Sequence, residues 1–173
     1  MKVYDGTDTD QSPDPDPDRV KVGIAEYAVT TDGAVLTTSG LGSCIGVALH
    51  DPASGVAGLA HVMLPAADEA GDGNPAKFAD SGTALLVEEV DAAGAEPATL
   101  EAKIAGGSDM LDFSADGAGI GDRNAETVRE TLAAHDVPVV GADLGGDHGR
   151  SLRLEPGTGD LVVTSANQGT DRL

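Results

Sequence analysis

Two residues of this chain, the single cysteine Cys44 and the histidine His61, have types and spacing that could support covalent chemistry. Cys44 follows a turn that contains Gly40 and Gly42, and it begins a β-branched apolar run, so its sulfur lies where a loop enters a strand. A thiol held in such a place can act as a nucleophile if its surroundings favour the thiolate. A lone cysteine also serves often as a small buried apolar side chain. The residue pattern leaves these two interpretations evenly balanced.

His61 lies within an apolar run, where a histidine is either a satisfied core residue or a base. As a base it would take the proton of the Cys44 thiol and later activate water. Such a base needs a neighbour that holds its ring, and Thr38 is a candidate through its hydroxyl or its carbonyl. The chemistry of the side chains leaves Thr37 and Ser39 open as well. Backbone N–H groups around Cys44 could face a developing oxyanion.

The other sequence patterns that could form a site are weaker. The glycine run at 40–46 is one residue too long for the dinucleotide fingerprint and leads into a strand, and the glycines at 119 and 121 lack a preceding strand. One cysteine and four histidines do not supply metal ligands at a recognisable spacing. The sequence therefore predicts neither a metal nor a cofactor. His148, in a glycine-rich loop, stays ambiguous.

The elements that must position Cys44 and His61 are short strands. Strands are predicted at 35–38, 44–49 and 56–64, and the turn at 51–55 joins the last two. If these two pair antiparallel, Cys44 and His61 lie near one end of the same sheet. Further strands are predicted at 20–29, 99–105, 137–142, 151–154 and 161–164, and helices at 78–93 and 125–135, the second capped by Asn124. About eight strands and two main helices indicate an α+β fold with mixed α/β layers.

The chain is predicted to contain one folded domain, at 19–165. Residues 1–18 form an acidic leader of Asp-Pro steps that is expected to be disordered, and residues 166–173 a frayed tail. No uninterrupted apolar stretch is long enough to span a bilayer, and no signal-like segment opens the chain. The protein is therefore expected to be cytoplasmic, without membrane insertion.

Acidic residues outnumber basic ones by 30 to 10, which gives a net charge of −20 spread along the chain. Nucleic acid is excluded as an expected partner, because affinity for phosphate comes from clustered Lys and Arg. Repulsion among the carboxylates destabilises a compact state at low salt, whereas at about 1 M salt the Debye length is only about 3 Å. The composition therefore predicts a halophilic protein.

Five motifs occur in the order TTSGLGSCIGVALHDP, AHVMLP, AKIAGGSDM, IGDRN and DLGGDHGRS. In this order and spacing they resemble the chemoreceptor glutamine deamidase family CheD, from about residue 22 to 163. The resemblance implies a fold related to the catalytic domain of cytotoxic necrotising factor toxins and a triad of Cys44, His61 and Thr38. It also implies attack of a Cys44 thiolate, paired with protonated His61, on the side-chain amide of a receptor glutamine. The motifs suggest these substrate contacts: Ser43, Gly106, Gly107, Arg123 and Asn124.

The resemblance implies two kinds of partner, the cytoplasmic helices of chemoreceptors and the chemotaxis phosphatase CheC. One alternative is a non-catalytic regulatory module that binds CheC, although the intact Cys44, His61 and Thr38 favour catalysis. The other alternative is a different cysteine hydrolase or a transglutaminase that acts on a small amide. Deamidation of a receptor fragment separates these hypotheses.

Overall fold

The computed structural model describes residues 2–5, 19–66, 73–108, 119–165 and 169–173. Within these ranges the chain forms two β-sheets and two α-helices. The elements are β1 (Lys2–Asp5), β2 (Arg19–Lys21), β3 (Tyr27–Thr30), β4 (Val35–Leu41), β5 (Ile45–His50), β6 (Ala57–Val62), α1 (Ala79–Ala92), β7 (Glu101–Gly106), α2 (Ile120–Ala134), β8 (Val139–Leu144), β9 (Arg150–Glu155), β10 (Asp160–Ser165) and β11 (Gly169–Arg172).

The two sheets are both mixed. Sheet A has six strands in the order β1-β3-β6-β5-β7-β8, and sheet B has five in the order β11-β10-β9-β4-β2. Neighbouring strands pair antiparallel, except that β7 with β8 and β2 with β4 are parallel. Both helices pack on one face of sheet A, and sheet B covers its other face. The predicted α+β class is confirmed.

Alternation along the central strands of sheet A explains the three layers. In β5, Ile45, Val47 and Leu49 are buried against the helices, where they meet Leu86 of α1 and Leu132 of α2. The intervening positions of β5 and β6 face sheet B, because successive side chains of a strand point to opposite faces. Full burial of one such aliphatic side chain stabilises the fold by about 1.5–3 kcal/mol. Because the intervening positions face sheet B, a polar residue at one of them is enclosed between the two sheets.

The β5–β6 hairpin matches the prediction from sequence, and Asp51 holds its turn. This buried carboxylate accepts hydrogen bonds from the Ala53 N–H at 3.0 Å and, across the loop after α1, from the Glu96 N–H at 2.7 Å. Ser54 and Thr99 donate their hydroxyls to it as well. Burial opposes ionisation, but these donors outweigh it and hold the pKa of Asp51 well below its usual range. The turn is thus locked, which fixes the β5–β6 register.

The prediction of a single strand at 20–29 is wrong, because this segment contributes β2 to sheet B and β3 to sheet A. The chain crosses between the sheets at a turn where Ala25 has a φ of 65°. A left-handed alanine is uncommon and gives no sequence signal. The apolar residues on both sides of the turn therefore looked like one continuous strand.

Three further expectations differ from the structure. Helix α2 begins at Ile120 with Gly119 as its N-cap, so Asn124 lies inside the first turns rather than at the cap. Residues of the predicted frayed tail form β11, which pairs with β10. Residues of the predicted leader form β1, which pairs with β3. The rest of the leader, 6–18, and the start of the tail, 166–168, lie outside the described residues.

Among the helices that the structure describes, none is long and apolar enough to cross a membrane.

Candidate active site

Thr38 and His61 meet in the space between the two sheets. Thr38 is on the face of β4 that also carries Leu36, and His61 is on the face of β6 that carries Leu59. Both are buried, with exposed fractions of 5% and 0%. The Thr38 hydroxyl oxygen lies 2.7 Å from the His61 Nδ1. The hydrogen bond thus joins a residue of sheet B to a residue of sheet A.

The other hydrogen bond of Thr38 fixes the tautomer of His61. The Thr38 hydroxyl donates its single hydrogen to the Val22 carbonyl oxygen at 2.7 Å, so towards His61 it can only accept. His61 therefore carries its proton on Nδ1, and its Nε2 has a free lone pair. Nε2 is buried and has no hydrogen-bond partner in the described part of the chain. The arrangement leaves an unprotonated nitrogen ready to accept a proton.

The surroundings of His61 also keep its ring neutral. Burial lowers the pKa of His61 to about 4, because the imidazolium would lose its hydration between the sheets. At neutral pH the free protein therefore holds His61 as a neutral imidazole, the form that can act as a base.

The strand register places Cys44 beside His61. Gly46 of β5 is directly opposite His61 of β6, and Cys44 precedes Gly46 by two residues, on the same face. Cys44 immediately precedes Ile45, the first paired residue of β5, and it packs against the apolar cluster between the two sheets, the space in which His61 is buried. Gly46 itself has no room for a side chain, because a Cβ there would lie 2.3 Å from Leu152. The Leu152 side chain therefore fills the space over Gly46, on the face that carries Cys44 and His61.

The thiol of Cys44 is half-buried, and its environment disfavours the thiolate. Burial raises the pKa of Cys44, and a hydrogen bond from its own backbone N–H opposes this only in part. The pKa shifts of Cys44 and His61 both favour neutral forms, so the resting pair is a thiol and an imidazole. Burial thus disfavours the charged form of each group in the free protein.

Gly106 and Gly107, expected as substrate contacts, pack against the backbone around Cys44. Gly106 has a φ of 118°, and a Cβ there would lie 2.2 Å from the Cys44 carbonyl oxygen. Gly107 donates its N–H to that same oxygen at 2.9 Å. Only glycine permits both the left-handed backbone and this approach. The two glycines thus support the backbone at Cys44 from the neighbouring strand.

The remaining predicted contacts occupy different places. Asn124 is fully buried, and its amide donates to the carbonyl oxygens of Ser43 and Met63, which leaves no exposed surface for a substrate contact. Ser43 is half-buried in the loop before Cys44, and Arg123 is exposed on α2. His148 is half-buried beside Asp147, with 3.9 Å between the His148 Nδ1 and the carboxylate.

The neighbours of Thr38 are resolved by geometry. The Thr37 hydroxyl points to the Val20 carbonyl oxygen at 3.5 Å, and Ser39 is exposed. Thr38 is the member of this trio that contacts His61. The Val22 carbonyl, which determines the tautomer, was missed, since a backbone acceptor leaves no side-chain pattern in a sequence.

Across the described ranges, no group of three or more His, Cys, Asp or Glu side chains is placed to hold a metal ion.

Comparison with known proteins gives consistent matches. A family model described as CheD chemotactic sensory transduction matches residues 63–165. A probable chemoreceptor glutamine deamidase CheD of the halophile Haloarcula marismortui is 62% identical over 96% of this chain and 96% of its own length. Proteins with the same description from Natronomonas pharaonis and Desulfitobacterium hafniense are 48% and 45% identical, over 84% and 87% of this chain and 87% and 95% of their own lengths.

Proposed function

This chain belongs to the CheD family, and we propose that it is a chemoreceptor glutamine deamidase with Cys44 as nucleophile, His61 as base and Thr38 as the residue that orients the base. The observation that carries the residue assignment is the Thr38 hydroxyl, which is committed to Val22 and so leaves the His61 Nε2 unprotonated. A base of this kind, on the same side of the sheet as a cysteine, could activate the thiol for nucleophilic amide hydrolysis.

Acylation begins with neutral groups. As the Cys44 sulfur attacks the side-chain carboxamide carbon of the glutamine, His61 Nε2 takes the thiol proton and a C–S bond forms. The carbonyl electron pair moves to oxygen, where backbone N–H groups near Cys44 would stabilise the oxyanion. The His61 imidazolium then gives its proton to the departing nitrogen, the C–N bond breaks, and ammonia leaves a thioester on Cys44.

Deacylation uses the same base. His61, again neutral, takes a proton from a water molecule as the water oxygen attacks the thioester carbon. The tetrahedral intermediate expels the Cys44 sulfur, which regains its proton from His61, and the product is glutamate. Throughout, the hydrogen bond from His61 Nδ1 to Thr38 keeps the ring in one orientation and stabilises the imidazolium when it forms.

The neutral resting pair has a consequence for the first step. Because burial raises the pKa of Cys44 and lowers that of His61, proton transfer to Nε2 is unfavourable before substrate is present. The transfer becomes favourable when it accompanies C–S bond formation, since negative charge then moves onto the oxyanion rather than staying on sulfur. The free enzyme is therefore expected to react slowly with general thiol reagents at neutral pH.

We further propose two partners and a location. The substrate is a cytoplasmic helix of a chemoreceptor, so the protein acts in the cytoplasm, and a CheC-type phosphatase binds it as a regulatory partner. The family resemblance supports both partners. The net charge of −20 argues against nucleic acid, because like charges repel.

The test is direct deamidation of a receptor. The native protein is incubated in concentrated KCl with a receptor cytoplasmic fragment, and mass spectrometry maps each glutamine that becomes glutamate. Cys44→Ser should give no conversion, while Ser39→Ala, which changes an exposed residue of β4, should convert at the native rate. Absence of conversion by the native protein would refute the function, and conversion by Cys44→Ser would refute the nucleophile.

A further inference from the structure

We propose that Asn124 is a positioning residue, which holds the loop of the nucleophile Cys44 against the strand of the base His61. Its kinetic consequence rests on the proposed function, whereas its effect on the geometry around Cys44 does not. Asn124 lies in the second turn of α2, on the helix layer, and is fully buried.

The side-chain amide of Asn124 donates both of its hydrogens to the two backbone segments that carry Cys44 and His61. Its Nδ2 donates to the Ser43 carbonyl oxygen at 2.9 Å and to the Met63 carbonyl oxygen at 3.0 Å. Ser43 immediately precedes Cys44, and Met63 follows His61 by two residues. A single planar group therefore sets the distance between the two segments.

The Asn124 amide, with its hydrogen bonds to Ser43 and Met63, forms a clamp at the point where the pairing of β5 with β6 ends. Pairing between β5 and β6 ends at Ile45 with Val62, so Cys44 and Met63 would form the next pair if the ladder continued. At that point the backbone hydrogen bonds of the sheet are replaced by the Asn124 amide. Without the Asn124 amide, the segment that carries Cys44 would be held against β6 only through the strand pairs that begin at Ile45 with Val62.

The side-chain oxygen of Asn124, which has no partner, supports the clamp as the role of this residue. Two carbonyl acceptors can only face the NH₂ end, which fixes the orientation of the amide. Its Oδ1 is buried and has no hydrogen-bond partner in the described ranges. An unsatisfied buried acceptor is unfavourable and calls for an explanation. The two donor contacts to Ser43 and Met63 supply it.

Glycines bring α2 close enough for Asn124 to reach. A Cβ at Gly121 would lie 2.4 Å from the Gly107 carbonyl oxygen, and one at Gly107 would lie 2.9 Å from the Gly121 carbonyl oxygen. The start of α2 thus rests directly on the backbone after β7, whose Gly107 N–H binds the Cys44 carbonyl. The start of α2, the glycines at the end of β7 and the backbone at Cys44 are therefore in continuous contact.

The experiment compares Asn124→Ala with Val128→Ala in the native chain in concentrated KCl. Val128 lies one turn further along α2 and is fully buried against sheet A, so its truncation destabilises the same helix without touching the clamp. Each variant is measured for thermal unfolding, for kcat and KM on the receptor fragment, and for the rate of Cys44 alkylation by iodoacetamide across pH. If Asn124→Ala does not fold, Asn124→Leu replaces it, since it keeps a similar side-chain volume, adds no charge and removes both donors.

We expect Asn124→Ala to lower kcat about 10²-fold at nearly unchanged KM, the loss that a displacement of about 1 Å produces at a catalytic centre. The pH midpoint of alkylation should fall towards that of an ordinary thiol, because the freed loop exposes Cys44 to water. Val128→Ala should lower the unfolding temperature and leave kcat and the alkylation midpoint unchanged.

Native kcat and a native alkylation profile in the Asn124 variant would overturn the positioning role. Equal kinetic losses in Val128→Ala would overturn it too, since they would trace to stability alone. If the native protein deamidates no receptor, the proposed function fails, and the alkylation profiles of the two variants still decide the role of Asn124.

Discussion

Replacement of Thr38 by valine removes one hydroxyl while keeping the shape of the side chain. In the native protein that hydroxyl accepts from the His61 Nδ1–H and donates to the Val22 carbonyl, both at 2.7 Å in a buried place. In Thr38→Val both partners stay buried without a hydrogen bond, and each such group costs about 1–3 kcal/mol. The free energy of unfolding should therefore fall.

The catalytic loss follows from the tautomer. In Thr38→Val no hydrogen bond holds the His61 proton on Nδ1. A preference of about 1–3 kcal/mol for this tautomer is lost, which corresponds to about a 5- to 150-fold change in the tautomer equilibrium. We expect kcat for deamidation of a receptor fragment to fall within this range, with KM little changed because Thr38 is enclosed between the sheets. Initial rates at saturating fragment give kcat, and urea unfolding in concentrated KCl gives the change in stability.

Two neighbouring substitutions complete the test. Thr38→Ser keeps the hydroxyl and should retain most of kcat. Thr37→Val removes a buried hydroxyl on the adjacent residue, whose contact with Val20 spans 3.5 Å, and should leave kcat unchanged. Full activity in Thr38→Val, or an equal loss in Thr37→Val, would refute the assignment of the tautomer to Thr38.

Three further predictions concern pH, backbone and salt. Burial lowers the pKa of His61 to about 4 in the fold, below its ordinary value, so between about pH 6.5 and 4 the unfolded chain takes up a proton that the fold does not. Stability should therefore fall by up to about 3 kcal/mol as pH drops through that window; urea unfolding of His61→Gln should lack this component, and identical pH profiles would contradict it. Gly106→Ala places a Cβ 2.2 Å from the Cys44 carbonyl oxygen, at a φ of 118°, so it should lower both the unfolding temperature and kcat; a native kcat in calorimetrically intact protein would count against that contact. Removal of KCl should unfold the chain because its net charge is −20, as followed by circular dichroism, and a spectrum unchanged at low salt would argue against this.

The sequence predicted best the parts of the fold whose signals are local. The hairpin that joins β5 to β6 has a proline and glycine turn between two apolar runs, and α1 has apolar residues at helical spacing. The segment around Thr38 was identified as a strand, and the order of strands around Cys44 followed from the turn. Predicting these elements required no knowledge of long-range contacts.

The parts that were missed depend on contacts between distant segments. Asn124 was predicted as the cap of a helix at 125–135, yet α2 begins at Ile120, and Gly121 is needed where α2 rests on Gly107. Strand β11 has four exposed residues and no apolar alternation, so only its pairing with β10 reveals it. In the site, the residue types left Thr38 as one of three candidates and the family resemblance implied Thr38, whose hydroxyl is the one that lies against His61.

The bond between Thr38 and His61 joins two sheets that contribute separately to the circular dichroism of the protein. A state that keeps both sheets but loosens their docking would retain native secondary structure and lose the fixed tautomer of the base. Enzymatic activity is therefore a more sensitive gauge of tertiary packing than backbone spectroscopy in this fold. As salt is withdrawn, the activity midpoint should come at a higher salt concentration than the midpoint of unfolding.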